Sequence, residues 1–226
     1  MKIAVLLSGS GVYDGAEIQE SVFALLSIAE NNASYICVAP DREQFHVVNH
    51  LTGEPSNEKR NIKVEAARIA RGDIKSIDEI NVADIDALVI PGGFGAAKNF
   101  NHWAIEGPEG MIHDDVKQLI LACVRASKPI AALCMAPTVV AKALQDSEFA
   151  PLLSVGTTTE PSPYDIDGIH KGMESINTKV VSRTVNEIAF DKELVIVSAP
   201  CYMMDASIVE VRANVKQAID KLMSLL

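Results

Sequence analysis

The sequence of 226 residues lacks the features that mark several specialised classes of protein. Its four cysteines are far apart and include no Cys-x-x-Cys pair, which argues against a disulfide framework or a zinc site and favours a reducing cytoplasm. They are Cys37, Cys123, Cys134 and Cys201. The apolar stretch over residues 3–7 is too short to span a membrane and runs into a glycine-rich turn, so it predicts a strand rather than a signal peptide.

Positive charge is also scarce, because 20 Lys and Arg residues stand against 30 Asp and Glu residues. The net charge of −10 and the pI of about 5.0 argue against nucleic acid and anionic membranes as partners. The sequence shows no internal repeat, low-complexity tract or linker. A chain of this length suits one α/β domain, and we therefore predict a single domain over residues 1–226.

What the sequence does contain is a regular alternation of short apolar runs and amphipathic segments. The runs predict strands over residues 3–7, 35–39, 87–90, 130–133 and 194–198, and the segments predict helices over residues 16–30, 114–126, 138–144 and 205–225. This alternation predicts right-handed βαβ units and a mostly parallel sheet with helices on both faces. Residues 62–69 are predicted to form an extra strand that runs into a short helical or loop segment.

Cys134 follows the apolar run at residues 130–133, where the chain turns at once. Pro137 suits the first turn of a following helix, and the amides at the start of that helix favour a thiolate. The small residues Ala132 and Ala136 flank the cysteine at the spacing of a nucleophile elbow. The pattern predicts a nucleophilic cysteine, and the competing interpretation is a small buried hydrophobic residue.

Two glycine-rich segments follow other predicted strands. In residues 91–95, Pro-Gly-Gly-Phe-Gly, the glycines leave backbone N–H groups free to form an oxyanion hole, although a simple tight turn is the alternative. Residues 9–15 suggest a dinucleotide site with Asp41 as the ribose ligand. However, the spacing is G-x-G-x-x-x-G, and Asp14 would meet the negative pyrophosphate, so a dinucleotide-dependent oxidoreductase is the less favoured class.

Glu17 and His50 are the candidate proton carriers. Glu17 lies early in the first predicted helix, where it either adds favourable charge to the helix end or, if buried beside Cys134, has a raised pKa and exchanges a proton with the thiol. His50 lies in a loop after the second predicted strand that is able to fold over the site. His46 and His50 have helical i, i+4 spacing, but no third ligand is evident, and we predict no metal.

Together these segments resemble the ThiJ/PfpI branch of the class I glutamine amidotransferase-like superfamily, and in particular its enhancing-lycopene-biosynthesis subfamily. The stretches that carry the resemblance are residues 8–18, 49–54, 91–99, 134–137 and 198–203. The resemblance implies a flavodoxin-like three-layer α/β sandwich, a cytoplasmic homodimer and no cofactor. It also implies that Cys134 is the nucleophile, that Glu17 is its carboxylic partner, and that the N–H groups of Gly93 and Met135 hold an oxyanion.

Members of this subfamily are described as cofactor-independent glyoxalases. We therefore predict a lyase that converts glyoxal or a small 2-oxoaldehyde to the 2-hydroxy acid through a hemithioacetal on Cys134, with Glu17 or His50 as the proton shuttle. The small carbonyl substrate is predicted to contact Gly11, His50, Gly92 and Phe94. The alternative is a redox- or electrophile-responsive thiol protein, linked to isoprenoid metabolism, without robust catalysis.

One departure from the superfamily pattern narrows the chemistry. Amidotransferases carry a His-x-Glu pair after the cysteine, whereas the corresponding region here, residues 155–160, reads Val-Gly-Thr-Thr-Thr-Glu and has no histidine. A Cys–His pair is what activates the thiol for hydrolysis in such enzymes. Glutamine hydrolysis is therefore not expected of this chain.

Overall fold

The centre of the protein is a seven-stranded sheet, seen in a computed structural model that describes residues 1–226. Its strands in chain order are β1 (Lys2–Leu6), β2 (Ser34–Ala39), β5 (Ile74–Ser76), β6 (Ala87–Ile90), β7 (Ile130–Leu133), β10 (Ala189–Asp191) and β11 (Ile196–Ala199). Their spatial order is β10-β11-β7-β6-β1-β2-β5, and all pairs are parallel except the edge pair β10–β11. Two small two-stranded sheets pair β3 (Val47–Val48) with β4 (Pro55–Ser56) and β8 (Leu152–Leu153) with β9 (Lys179–Val180).

Helices cover both faces of the sheet. They are α1 (Ile18–Glu30), α2 (Ile62–Ile69), the single turn α3 (Trp103–Glu106), α4 (Asp114–Arg125), α5 (Ala136–Leu144), α6 (Ile166–Ser175) and α7 (Ile208–Met223). The connection from β1 to β2 and the connection from β6 to β7 run in opposite directions across the sheet, so right-handed crossovers place α1 and α4 on opposite faces. Helix α7 packs on α1, and α5 packs on α4. The predicted three-layer α/β fold with a mostly parallel sheet is confirmed.

The strands are continuous apolar runs because the sheet is buried on both faces. Every residue of β6, β7 and β11 is buried, and 57 buried hydrophobic residues drawn from the sheet and its helices form one cluster. No helix is both long enough and apolar enough to cross a membrane.

The prediction of an extra strand at residues 62–69 is wrong, because these residues form α2. The side chain of Asn61 caps the helix by accepting a hydrogen bond from the backbone N–H of Val64, and the buried Ile62 and Ala66 have helical i, i+4 spacing. Strands β5 and β10 were not predicted, since each has only three residues and lies at an edge of the sheet.

Strands β1, β6, β7 and β11 are neighbours and parallel, so their carboxyl ends lie on the same side of the sheet. The segments that follow these ends are the glycine-rich residues 9–15, the Pro-Gly-Gly-Phe-Gly segment, Cys134 and residues 200–204. Ligands bind beyond the carboxyl ends of the strands in open α/β sheets.

Candidate active site at Cys134

Cys134 adopts the sharp turn predicted for a nucleophile elbow. Its φ of +55° lies in the left-handed region that side-chain-bearing residues rarely adopt, and helix α5 begins two residues later. The neighbouring strand β11 fixes the turn, because the N–H of Cys134 donates to the carbonyl of Ala199 at 2.8 Å. Pro137 lies in the first turn of α5, as expected.

Gly92 lets its loop approach the cysteine closely. A Cβ atom at this position would lie 2.8 Å from the Cys134 Sγ atom and 2.7 Å from the Glu20 Oε2 atom, which is closer than side-chain atoms pack. The absence of a side chain here therefore allows thiol and carboxyl to share one small space. The predicted substrate contact at Gly92 remains a prediction, while the structure shows this packing role.

The two amides predicted to form an oxyanion hole lie at the sulfur. The backbone N–H groups of Gly93 and Met135 donate hydrogen bonds to the Cys134 sulfur, which favours the thiolate and counteracts the rise in its pKa. A substrate carbonyl that bonds to this sulfur would bring its oxygen close to both donors.

The carboxyl group that meets the thiol belongs to Glu20, a residue that the sequence interpretation did not name. Glu20 is fully buried, and its carboxyl forms a hydrogen bond with the Cys134 thiol. Its Oε2 atom accepts the N–H of Gly92 at 3.1 Å, and its Oε1 atom accepts the N–H of Tyr202 at 3.2 Å. Three neighbouring segments thus hold the carboxyl in one orientation.

Burial dominates the electrostatics of this pair. Removal from water, followed by repulsion from the Glu17 carboxylate, raises the pKa of Glu20 to about 8. Burial, and after it the nearby Glu20 carboxylate, raises the pKa of Cys134 well above its ordinary value. At neutral pH both groups carry protons, and the first proton lost leaves a carboxylate beside a thiol.

Glu17, the predicted partner of the thiol, lies one helical turn earlier and caps helix α1. Its Oε2 atom accepts the N–H of Glu20 at 2.6 Å, and the residue has the extended backbone of an N-cap. The side chain is half-buried and lines the pocket in front of Cys134. Burial raises the pKa of Glu17, and three backbone hydrogen bonds oppose that rise. The structure thus places Glu17 in the pocket but puts Glu20 against the sulfur.

The pocket over the thiol is small. Its free volume is only about 10 Å³, and it is lined by Val12, Glu17, Gly93, Phe94, Cys134, Met135, Tyr164, Tyr202 and Met203. The predicted contact residue Phe94 is therefore present. The sequence does not predict Tyr164, Tyr202 and Met203 as lining residues, since they come from the loop that follows β8 and from the turn after β11.

Gly11 and His50 do not line this pocket. The Nδ1 atom of His50 lies 3.0 Å from the carbonyl of Val48, and its Nε2 atom accepts the N–H of Tyr13 at 3.2 Å. A ring that donates at Nδ1 and accepts at Nε2 is the neutral tautomer. A Cβ atom on Gly11 would collide with that ring. His50 thus holds the glycine-rich loop in place. It does not line the pocket, so no contact with the thiol supports its predicted role as a proton shuttle.

The glycine-rich residues 9–15 pack directly against the backbone of the Pro-Gly-Gly-Phe-Gly segment. The N–H of Phe94 donates to the carbonyl of Val12 at 2.7 Å, and the N–H of Gly95 donates to the carbonyl of Gly15 at 2.9 Å. A Cβ atom on Gly93 or Gly95 would collide with Gly15. The space that a dinucleotide phosphate would need is filled by the Pro-Gly-Gly-Phe-Gly loop, which removes the basis for the oxidoreductase alternative. No cluster of three His, Cys, Asp or Glu side chains is arranged to hold a metal ion.

The sequence did contain a signal for Glu20. Within α1, Glu20 has the i, i+4, i+8 spacing that it shares with Ala24 and Ile28, both of which are fully buried. A carboxylate on the buried stripe of an amphipathic helix requires a partner. Here the partners are the Cys134 thiol and two backbone N–H groups.

Comparison with known proteins places the chain among relatives of similar length. No protein-family model matches it. It is 33% identical over 228 residues to the Rattus norvegicus protein named "ES1 protein homolog, mitochondrial", covering 99% of this chain and 84% of that protein. The Homo sapiens protein "Glutamine amidotransferase-like class 1 domain-containing protein 3, mitochondrial" is also 33% identical over 228 residues, with 99% and 83% covered.

Solved structures show the same relationship. The isoprenoid biosynthesis protein with amidotransferase-like domain from Ehrlichia chaffeensis is 32% identical and superposes with a TM-score of 0.89 over 100% of both chains. Glyoxalase III from Candida albicans superposes with a TM-score of 0.60 at 11% identity, over 97% of this chain and 96% of that chain. The second similarity shows a shared fold alone.

Proposed function

The chain belongs to the glutamine amidotransferase-like class 1 family, in its ES1 branch, and on that premise we propose that it is a cofactor-independent glyoxalase. The proposed reaction converts glyoxal or a small 2-oxoaldehyde to the 2-hydroxy acid. The observation that carries the proposal is the Cys134 thiol at the base of this narrow pocket, with the buried Glu20 carboxyl against the thiol. A free volume of about 10 Å³ leaves room only for very small molecules, and the glyoxalase III of Candida albicans shares the fold.

In the first step the thiol adds to the aldehyde. The ionised form of Glu20, a minor fraction at neutral pH because the pKa of this carboxyl is about 8, takes the Cys134 proton as the sulfur–carbon bond forms. The aldehyde oxygen becomes an alkoxide, and Glu20 returns the proton to it to give the hemithioacetal. The N–H groups of Gly93 and Met135 are the donors that would hold the alkoxide.

In the second step a proton moves between the two substrate carbons. A carboxylate removes the hydrogen from the hemithioacetal carbon to give an enediolate, and the second carbon receives a proton to give a thioester. Water then cleaves the thioester, which releases the hydroxy acid and restores the thiol. One substrate carbon is oxidised while the other is reduced, so the electrons balance within the substrate. We assign the transfer to Glu20, which lies against the thiol, with Glu17 as a second carboxyl that itself lines the pocket.

The surroundings of the thiol argue against glutamine hydrolysis. No histidine lines the Cys134 pocket, so the Cys–His pair of glutamine hydrolysis has no counterpart there. Oxidation by peroxide and addition to a carbonyl both require loss of the thiol proton, which the raised pKa of Cys134 opposes, so the glycolate assay distinguishes the glyoxalase from the redox-responsive alternative. Cytoplasmic location, a homodimer and a link to isoprenoid metabolism remain proposals, and the rat and human relatives are named as mitochondrial proteins.

The test is production of glycolate from glyoxal by the wild-type protein and by Cys134→Ser, Glu20→Gln and Glu17→Gln. We expect no enzymatic glycolate from Cys134→Ser, a large loss in Glu20→Gln and a smaller loss in Glu17→Gln. Circular dichroism and melting temperature establish that each variant is folded. Equal rates for the wild type and Cys134→Ser would refute the proposal.

A further inference from the structure

We propose that the ring of Tyr164 is the wall that limits the size of carbonyl compound able to reach Cys134. This inference rests on the proposed function, because it names the substrate class of the same site. Tyr164 lines the Cys134 pocket and also each of two larger grooves on the protein surface, of about 320 and 340 Å³. No other residue lines all three of these spaces.

The first groove shares Phe94 and Met135 with the Cys134 pocket and continues past Trp103, Pro108 and Ile169. These added side chains are apolar or aromatic, which is the lining that binds an aryl or alkyl group. The second groove shares Glu17 and Tyr202 with the pocket and opens toward the turn after β11. Because Tyr164 borders all three spaces, shortening this one side chain would widen the passage from both grooves to the thiol.

Tyr164 is held in this position by its own segment. The Ser162 hydroxyl donates to the carbonyl of Met203 at 2.6 Å, and the N–H of Tyr164 donates to the Ser162 Oγ atom at 3.0 Å. A further hydrogen bond of 3.0 Å runs from the N–H of Asp205 to the carbonyl of Pro161. These hydrogen bonds therefore fix the position of Tyr164 relative to the turn after β11.

The ring of Tyr164 also contacts the ring of Phe94. The two ring centroids are 5.8 Å apart and the planes meet at 72°, an edge-to-face contact. Only 6% of Cys134 is exposed, which excludes a bulky molecule from the sulfur. The wild-type substrate class is therefore 2-oxoaldehydes whose substituent is hydrogen or methyl.

The catalytic test compares kcat/KM for methylglyoxal and phenylglyoxal in the wild type, Tyr164→Ala and Tyr164→Phe. Tyr164→Phe is the matched control, because it keeps the ring and removes only the hydroxyl. We expect Tyr164→Ala to shift the ratio toward phenylglyoxal by at least about tenfold, and Tyr164→Phe to keep the wild-type ratio. An unchanged ratio in Tyr164→Ala would overturn the inference.

A second measurement tests the steric role of Tyr164 independently of the glyoxalase reaction. Alkylation of Cys134 by iodoacetamide and by N-phenylmaleimide is followed by peptide mass mapping, which distinguishes this cysteine from the other three buried ones. Tyr164→Ala should speed the bulky reagent relative to the small one by about tenfold, and Tyr164→Leu provides a second shortened variant if alanine unfolds the segment. A changed alkylation ratio without glyoxalase activity refutes the proposed function and keeps the wall, whereas activity with unchanged ratios refutes the wall.

Discussion

Glu17 and Glu20 lie one turn apart at the start of α1, yet the protein puts their carboxyl groups to different uses. Glu17 is half-buried and bonds to the end of its own helix through the N–H of Glu20. Glu20 is fully buried and bonds to the thiol of Cys134 and to two N–H groups from other segments. The comparison shows that the residue beside the reacting atom is decided by which face of the helix is buried.

The same difference separates their electrostatics. Burial raises the pKa of both carboxyl groups, but for Glu20 the rise reaches about 8, and the charge of Glu17 contributes to it. The chain thus keeps one carboxyl protonated near neutral pH and places a second one beside it to maintain that state. Each prediction below changes one member of this pair or its surroundings.

The largest effect is expected from Glu20→Gln. The amide cannot accept the Cys134 proton, so kcat/KM for glyoxal should fall by about 10²–10⁴-fold, the usual contribution of a general base. The amide oxygen can serve only one of the two N–H groups that Glu20 satisfies, so we also expect a loss of stability of about 1–3 kcal/mol. Steady-state kinetics and urea unfolding measure the two effects. Activity within about twofold of the wild type would assign the base to another residue.

Gly92→Ala is expected to have the next largest effect. The added methyl group would lie against the Cys134 sulfur and the Glu20 carboxyl and force them apart. Overpacking of this kind costs about 1–3 kcal/mol of stability. In the wild type, alkylation of Cys134 by iodoacetamide is expected to rise near pH 8, where Glu20 loses its proton, and Gly92→Ala should lose this rise. A profile that keeps this rise would show that the pair does not depend on the close approach at Gly92.

The raised pKa of Glu20 also predicts how stability depends on pH. Between about pH 4.5 and about pH 8 the folded state holds a proton that the unfolded state releases, so stability falls as the pH rises through this interval. In Glu20→Gln this contribution is absent. The difference in unfolding free energy between the two proteins should therefore change by on the order of 3–5 kcal/mol across the interval. Parallel pH dependences would contradict a raised pKa at Glu20.

The smallest effect is expected from Glu17→Gln. The amide oxygen still accepts the N–H of Glu20, so the cap is largely kept, while the negative charge that raises the pKa of Glu20 is removed. The pH profile of Cys134 alkylation should therefore shift to lower pH, with a change in maximal rate of about twofold or less. A loss as large as that of Glu20→Gln would restore Glu17 as the principal partner of the thiol.

The sequence predicted the fold well because its main strands are continuous apolar runs. Residues 87–90 and 130–133 were placed at the bounds of β6 and β7, and helix α1 begins two residues later than predicted, since Glu17 is its N-cap. Helix α2 was missed because its eight residues mix β-branched and charged side chains, and only the cap at Asn61 marks the start.

The site was harder to predict because its members meet through tertiary contacts. The turn at Cys134 and the glycines before Phe94 are visible locally, since each has a backbone requirement. The burial of Glu20 depends on the turn after β11, and the position of Tyr164 depends on hydrogen bonds to that turn. Neither set of contacts produces a residue spacing that can be recognised in the sequence.

The most direct test of the central claim is infrared spectroscopy of the carboxylic acid C=O stretch across the pH range. The wild type and Glu17→Gln should show a protonated carboxyl at neutral pH, which in the wild type loses its proton near pH 8. Glu20→Gln should lack this band. A band that persists in Glu20→Gln, or a wild type with no protonated carboxyl at neutral pH, would contradict the assignment of Glu20 as the acid–base partner of Cys134.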